Sequence, residues 1–143
     1  MARVPKVLHD YINSAYPDYV CLVSTVLDNG YAQVSPRGSI MVYDDETLGM
    51  WLRGGGSTAA GLEDGTKVTV FYRNPTIRQY LPRGGIARFY GTAEIHKTDP
   101  VREKVWTGMI EQERKGDPDK KGYAALIRIE RAEDLFREPL DLD

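Results

Sequence analysis

Asn29-Gly30 lies between two runs rich in strand-forming residues, 19–27 and 31–35. Both residues of that pair tolerate positive φ, so the two-residue turn specifies an antiparallel hairpin. The same punctuation recurs along the chain. Asp44-Asp45-Glu46 separates a strand-like run at 39–43 from another at 47–52, and Asp64-Gly65 precedes a third run at 66–72 that closes at Arg73-Asn74-Pro75. Strands joined by tight turns pair antiparallel, and a series of them points to a small barrel or sandwich. A longer run at 86–95 places Ala87, Phe89, Gly91, Ala93 and Ile95 on one face and Ile86, Arg88, Tyr90, Thr92 and Glu94 on the other. A last strand is expected at 123–130.

Helices flank these strands. Val4, Leu8, Ile12 and Ala15 recur at spacings of four and three, one apolar stripe of a short helix that Pro17-Asp18 ends. Asp99-Pro100 pairs an N-cap residue with a first-turn proline, and Val101, Val105 and Met109 form a stripe of a helix expected to run to Lys115-Gly116. A short helical piece at 58–62, capped by Ser57, follows Gly54-Gly55-Gly56. The segment 76–85 reads as a long loop, a class of segment that often carries function in small domains. With 143 residues, the expectation is one domain over 1–143, since two cores would each be too small.

Charge and composition narrow the function. Nineteen basic against twenty-one acidic side chains give a net charge of −2, which argues against a nucleic-acid binder that relies on bulk positive charge. The longest apolar run, near 20–23, is far below the ~20 residues of a membrane span. The start shows no signal-peptide pattern. Cys21 has no second cysteine to pair with, so a cytoplasmic protein is the default expectation. Cys21 itself is expected to pack as a small hydrophobe, and His9 and His96 read as surface histidines outside any metal-ligand spacing. The run Glu111-Gln112-Glu113-Arg114-Lys115 reads as the solvated face of a helix. Neither a Ser-His-Asp arrangement nor a G-x-S-x-G string can be argued.

Two segments suit an anion. Gly54, Gly56 and Ala59 match G-x-G-x-x-A, but the neighbouring hairpins oppose a Rossmann crossover, and Gln79 and Tyr80 stand where an acidic ribose ligand would fall. A narrower reading remains: a Gly-rich turn at a helix start offers N–H groups, and Ser57 and Thr58 add hydroxyls, to a phosphate. The plain alternative is a turn with a Ser cap. The second segment is Ser35-Pro36-Arg37-Gly38-Ser39. There proline stiffens the backbone, glycine permits close approach, and the Arg37 fork can grip a phosphate at two points. An arginine in a turn is otherwise a solvated charge.

Three strings then fall in order. Val34-Ser35-Pro36-Arg37-Gly38-Ser39 comes first, then Thr47-Leu48-Gly49-Met50-Trp51-Leu52-Arg53 ahead of the Gly-Ser-Thr helix start. Ile86-Ala87-Arg88-Phe89-Tyr90-Gly91-Thr92-Ala93-Glu94 closes the series. Over residues 15–97 this succession resembles the pyridoxamine 5′-phosphate oxidase-like family of FMN-binding proteins. The resemblance implies a mainly β fold with flanking helices, an antiparallel split β-barrel, and a homodimer with FMN at the subunit interface. Carried over, Arg37 is the first phosphate-contacting arginine, and Gly38, Ser39, Ile40 and Met41 open the strand beside the flavin. Leu52 and Arg53 fall where the next strand's end touches the cofactor. Ser57 and Thr58 stand at the phosphate-binding turn, where Thr58-Ala59 replaces the family's basic pair.

Val42 stands where true vitamin B6 oxidases carry a substrate-binding lysine. The family's Trp- and Arg-rich closing segment has no counterpart before Leu140-Asp141-Leu142-Asp143, so B6 oxidation is not the expected reaction. What the resemblance implies is an FMN-dependent oxidoreductase acting on a small organic substrate. The competing readings are a non-enzymatic flavin, haem or deazaflavin sensor or store, and an empty barrel serving protein association. Trp51, Tyr90 and Trp106 are candidates to cover a ring face, each with a core position as the alternative. Arg88 is a candidate for an anionic substrate or the partner's flavin, with an ion pair as its alternative.

Overall fold

The computed structural model describes residues 2–53 and 62–142. The expected helical piece at 58–62 lies outside the described residues except for Leu62, and Ser57 and Thr58 lie outside them entirely. Helix α1 (Lys6–Asn13) leads into β1 (Cys21–Val26), β2 (Ala32–Arg37), β3 (Met41–Asp44), β4 (Thr47–Leu52) and β5 (Lys67–Arg73). Then come β6 (Ile86–His96), helices α2 (Pro100–Gly108) and α3 (Glu111–Lys115), and β7 (Tyr123–Glu133). The strands form one antiparallel sheet in the order β2-β1-β5-β6-β7-β4-β3.

That order forces the sheet to roll up. Laid flat, seven strands spaced ~4.8 Å apart would hold the two edge strands about 29 Å from each other. Yet the edge strands β2 and β3 are joined by residues 38–40 alone, and four Cα steps reach at most ~14 Å. The edges must therefore meet at this corner, where the Ile40 N–H turns back to the Arg37 carbonyl at 3.5 Å.

Inside the roll, Val23, Leu48, Met50, Leu52, Val68, Val70, Phe89 and Ile127 form the main core, and the α1 stripe of Val4, Leu8, Ile12 and Ala15 packs into it. A second cluster lies on the other face of β4 and β7. There Val105 and Met109, at the end of α2, bury Met41, Trp51, Ala124 and Leu126. β4 is thus buried on both faces, with Leu52 turned inward and Trp51 turned towards α2. Strand alternation alone produces that division.

Several expectations need correction. The helix expected from Asp99 to Lys115 is two helices. Asp99 does cap the first, accepting from the Arg102 N–H, but Met109 and Ile110 are extended and break the run. Arg114 satisfies the carbonyls freed there, donating to the Thr107 oxygen at 3.4 Å and to that of Met109. β2 runs two residues further than expected, through Pro36 and Arg37, and β7 continues to Glu133 past a register shift opposite Tyr90 and Gly91. The segment 76–85 is not a loose loop. The Asn74 N–H bonds the Gly85 carbonyl at 2.8 Å, and Ile77 and Leu81 plug the core. Gly85, at φ +70°, has no room for a Cβ, which would collide with the Asn74 carbonyl.

His96 is no free surface histidine: its ring nitrogens lie 2.6 Å from Asp99 Oδ2 and 2.6 Å from Glu94 Oε1. Burial opposes its charge, but those two hydrogen bonds outweigh it and raise the pKa above the ordinary value. Cys21 is buried, and burial pushes its thiol up to about 12. Among the described residues no helix is long and apolar enough to cross a membrane.

Where β6 meets β7, Glu133 is fully buried and Arg88 lies across the ladder from it. Its carboxylate accepts from Arg131 Nε at 2.9 Å and Arg88 Nη1 at 3.2 Å, with Arg137 Nε at 3.8 Å. Burial alone would raise its pKa; the three guanidiniums more than reverse this and hold it below the usual carboxylate value. The folded pKa thus lies below the unfolded one. The charged form stabilises the fold in full above the unfolded pKa, and that contribution fades as pH falls through the folded value. Glu133→Gln is expected to lower stability in urea at pH 7 by about 2–3 kcal/mol, below the cost for a fully buried pair because Arg131 and Arg137 are exposed to solvent. The deficit is expected to shrink at pH values below about 4.

Candidate functional site

At the corner where the sheet edges meet lies a cavity of about 220 Å³, lined by Pro36, Arg37, Gly38, Ser39, Trp51, Arg53 and Glu113. Among the described residues three segments build it: the end of β2 with its turn, the end of β4 with Arg53, and α3.

Ser39 holds the first two together. β3 and β4 pair with Met41 opposite Gly49 and Val42 opposite Leu48, so Ser39 falls opposite Trp51 if the register is continued. There a side chain does the work of a backbone ladder. The Trp51 N–H donates to Ser39 Oγ at 3.0 Å, and the hydroxyl donates to the Trp51 carbonyl at 3.4 Å. Ser39 is buried, and its one donor hydrogen is committed to this clasp. It closes the corner and forms a wall.

The Trp51 indole is also fixed. Its Nε1–H donates to Asp117 Oδ2 at 2.9 Å, and the Trp106 ring stands edge-on at 4.9 Å. Asp117 further accepts from the Gly122 N–H at 2.8 Å and the Lys121 N–H at 3.0 Å. Burial would raise the Asp117 pKa, but these three bonds together with nearby Arg53 leave it below the ordinary value. Trp51 is therefore a rigid panel of the cavity, carried by a strand and a turn at once.

The charges sit on the remaining walls. Arg53 Nη2 meets Glu113 Oε2 at 2.5 Å. The guanidinium lies against Gly116, where an added Cβ would run into Nη2. Arg37 is held differently. Its Nε is buried and, among the described residues, has no hydrogen-bond partner, a donor left unsatisfied beside the cavity. Burial lowers the Arg37 pKa and the neighbouring Arg53 lowers it further, while Glu113 opposes both. The group stays cationic at neutral pH, since arginine titrates far above it. Two guanidiniums, one carboxylate and an unsatisfied N–H form a site that favours an anion with several acceptor oxygens.

Of the residues singled out in the sequence, Pro36, Arg37, Gly38, Ser39, Trp51 and Arg53 converge here. Ile40, Met41 and Leu52 are adjacent in the chain, but their side chains are buried in the two cores, so only their backbone groups can face a ligand. Ser35 sits in β2 opposite Val23. Arg88 is not brought to this cavity; it is spent on Glu133 and on the carbonyls of Asp134 and Leu135 at 3.2 and 3.4 Å. Tyr90 lines a different cavity, with Thr25, Lys67 and Glu130. Trp106 supports Trp51 and is not among the lining residues.

Two residues escaped the sequence reading. Glu113 is not simply part of a solvated face: its side chain is 19% exposed and points at Arg53. Nothing in Glu-Gln-Glu-Arg-Lys marks one carboxylate above the other, because the break at Met109 sets which one faces in. Asp117 did leave a signal, since Gly116-Asp117-Pro118 is a turn string in which Asp accepts from following N–H groups.

Comparison with known proteins agrees with this architecture. The family model described as pyridoxamine 5′-phosphate oxidase matches residues 12–135. The crystal structure of tagged HupZ from Group A Streptococcus is similar at TM-score 0.70 and 23% identity, covering 98% of this chain and 99% of that one. A putative pyridoxamine 5′-phosphate oxidase from Lactobacillus delbrueckii is similar at TM-score 0.62 and 21% identity, covering 92% and 98%. An FMN-binding protein from Syntrophomonas wolfei is similar at TM-score 0.60 and 16% identity, covering 97% and 90%. No curated protein matches the chain.

Asp117→Ala would leave the Trp51 indole and two backbone N–H groups without their acceptor. It is expected to lower stability by about 1–3 kcal/mol in denaturant unfolding, with a red-shifted tryptophan emission as the indole gains water.

Proposed function

The chain belongs to the pyridoxamine 5′-phosphate oxidase family, and from that premise we propose that it is an FMN-binding flavoprotein that oxidises or reduces a small organic substrate. The observation that carries the reading is the buried Nε of Arg37, without a partner among the described residues, beside a cavity already lined by a second guanidinium. A buried donor without an acceptor costs about 1–3 kcal/mol, and a phosphate oxygen is the acceptor that would recover it. The residues present therefore fit the charged end of FMN. Arg37 and Arg53 would hold the phosphate, the Pro36-Arg37-Gly38 backbone would allow close approach, and Trp51 would form a fixed wall. Thr58-Ala59, in place of a basic pair, leaves these two arginines as the principal counter-charges.

The cavity also argues for a second subunit. At about 220 Å³ it falls below the roughly 300–1,000 Å³ of pockets that enclose a whole ligand. A single chain thus offers a seat for the phosphate end, and the rest of FMN needs a further surface. A homodimer with the cofactor at the interface supplies one. When bound, FMN supplies hydride- and electron-accepting chemistry, which is why the protein's own task is to bind and orient. Val42 fills the position of the family's substrate-binding lysine, packs against the main core, and donates its backbone N–H to Asn13 Oδ1 at 2.7 Å. That supports a substrate other than pyridoxamine phosphate.

Flavin fluorescence titration tests the reading. The protein is expected to bind FMN, and Arg37→Ala to weaken binding about 10–150-fold, the scale of one charge-assisted phosphate contact. Riboflavin, which lacks the phosphate, is expected to bind both proteins alike. Equal FMN affinity in the variant would remove Arg37 from the role. Anaerobic bleaching of the bound flavin by NADH or NADPH, followed by reoxidation with an organic acceptor, would distinguish an oxidoreductase from a flavin store.

A further inference from the structure

One side chain in the cavity has the wrong sign for the ligand proposed above. The Glu113 carboxylate meets Arg53 at 2.5 Å and crowds the Gly38 backbone, where a Cβ would lie 2.5 Å from its Oε1. It occupies the ground between the Pro-Arg-Gly corner and the second guanidinium, which is where an anionic group of a ligand would rest. It pairs with Arg53 yet leaves Arg37 Nε without an acceptor among the described residues. The site is thus half filled by the protein's own anion.

The element that carries Glu113 is lightly packed. α3 is five residues long, and none of them is buried. It is tied back through Arg114 to the carbonyls of Thr107 and Met109, and it ends at Gly116 against Arg53. Displacing such an element sacrifices few apolar contacts, the property of segments with low local stability.

We propose that Glu113 is an internal stand-in for the ligand's phosphate. It neutralises and positions Arg53 while the site is free, and it is expelled when a phosphate monoester arrives. Entry is then stepwise. The phosphate approaches the Arg37 guanidinium at the cavity wall. The incoming group, carrying about −1.5 to −2 charges, repels the carboxylate and takes its place on Arg53, with the buried Arg37 Nε gaining its acceptor as Glu113 leaves. Competition with Glu113 sets the affinity and biases the site towards anions charged strongly enough to displace a carboxylate. This inference rests on the phosphate-binding reading of the same cavity.

The test compares the full chain with Glu113→Gln, Glu113→Ala and Glu111→Gln, titrated with FMN, riboflavin and inorganic phosphate. Glu111 lies on the same helix and pairs with Lys115 at 3.6 Å on the exposed side, so its neutralisation controls for net charge. Both Glu113 variants are expected to bind FMN about tenfold more tightly than the parent, the scale of one charge-assisted contact, with riboflavin affinity unchanged and Glu111→Gln close to the parent. If FMN binds the parent and the Glu113 variants equally, or the variants bind it more weakly, the stand-in role is overturned and the FMN reading stands. A gain in Glu111→Gln as large as in Glu113→Gln would assign the effect to general charge and overturn it too. If no protein in the set binds FMN or inorganic phosphate, the phosphate reading itself falls and takes the inference with it.

Discussion

The clasp between Ser39 and Trp51 is the contact on which the rest of this molecule turns. A rolled sheet with unpaired edges needs something to hold those edges together, and the three residues between β2 and β3 are too few to form a ladder of their own. One hydroxyl, exchanging two hydrogen bonds with the Trp51 backbone, continues the β3–β4 register past the end of β3. Without it the Pro-Arg-Gly corner and the end of β4 would be free to separate. Arg37 and Arg53 would then no longer face one cavity.

Around that clasp the protein divides rigid from movable parts. Trp51 is held by its backbone, by its indole bond to Asp117 and by the Trp106 edge. Arg37 emerges from a paired strand whose partner is the buried Cys21. Against these fixed walls stands α3, without a buried residue, presenting a single carboxylate. For the proposed ligand such a division has a physical use, since a preorganised wall would lower the cost of ordering on binding while the Glu113 carboxylate would be the competitor to displace.

Much of the fold was legible because its signals are local. Asn29-Gly30 and Asp44-Asp45-Glu46 mark hairpins, the first through the positive φ of Gly30 and both through Asn29 and Asp44 side chains that accept from the N–H two residues on. Val4, Leu8, Ile12 and Ala15 report the buried side of α1 through spacing alone. Asp99-Pro100 likewise marks the start of α2. The helix break at Met109–Ile110 was not legible, because the pattern continues smoothly through it and the interruption is stabilised by contacts set in the fold, the carbonyl bonds from Arg114 and the burial of Met109. The packing of segment 76–85 is hidden for a related reason: polar turn residues mask Ile77 and Leu81, whose burial depends on where β5 and β6 bring them.

The site shows the same boundary. Sequence alone determined that an arginine flanked by proline and glycine stands near a strand boundary and that a second arginine follows another strand, since both facts are properties of neighbouring residues. That Pro36 and Arg37 still pair within β2 was decided by the structure. Tertiary structure alone decided that those arginines share a cavity with Glu113, that Arg88 is spent on Glu133, and that Leu52 faces the core while Trp51 faces the site. The physical reason is that strand alternation specifies opposite faces without saying what each face meets. The partner across a rolled sheet is set by register and closure, which join residues 60 and more positions apart.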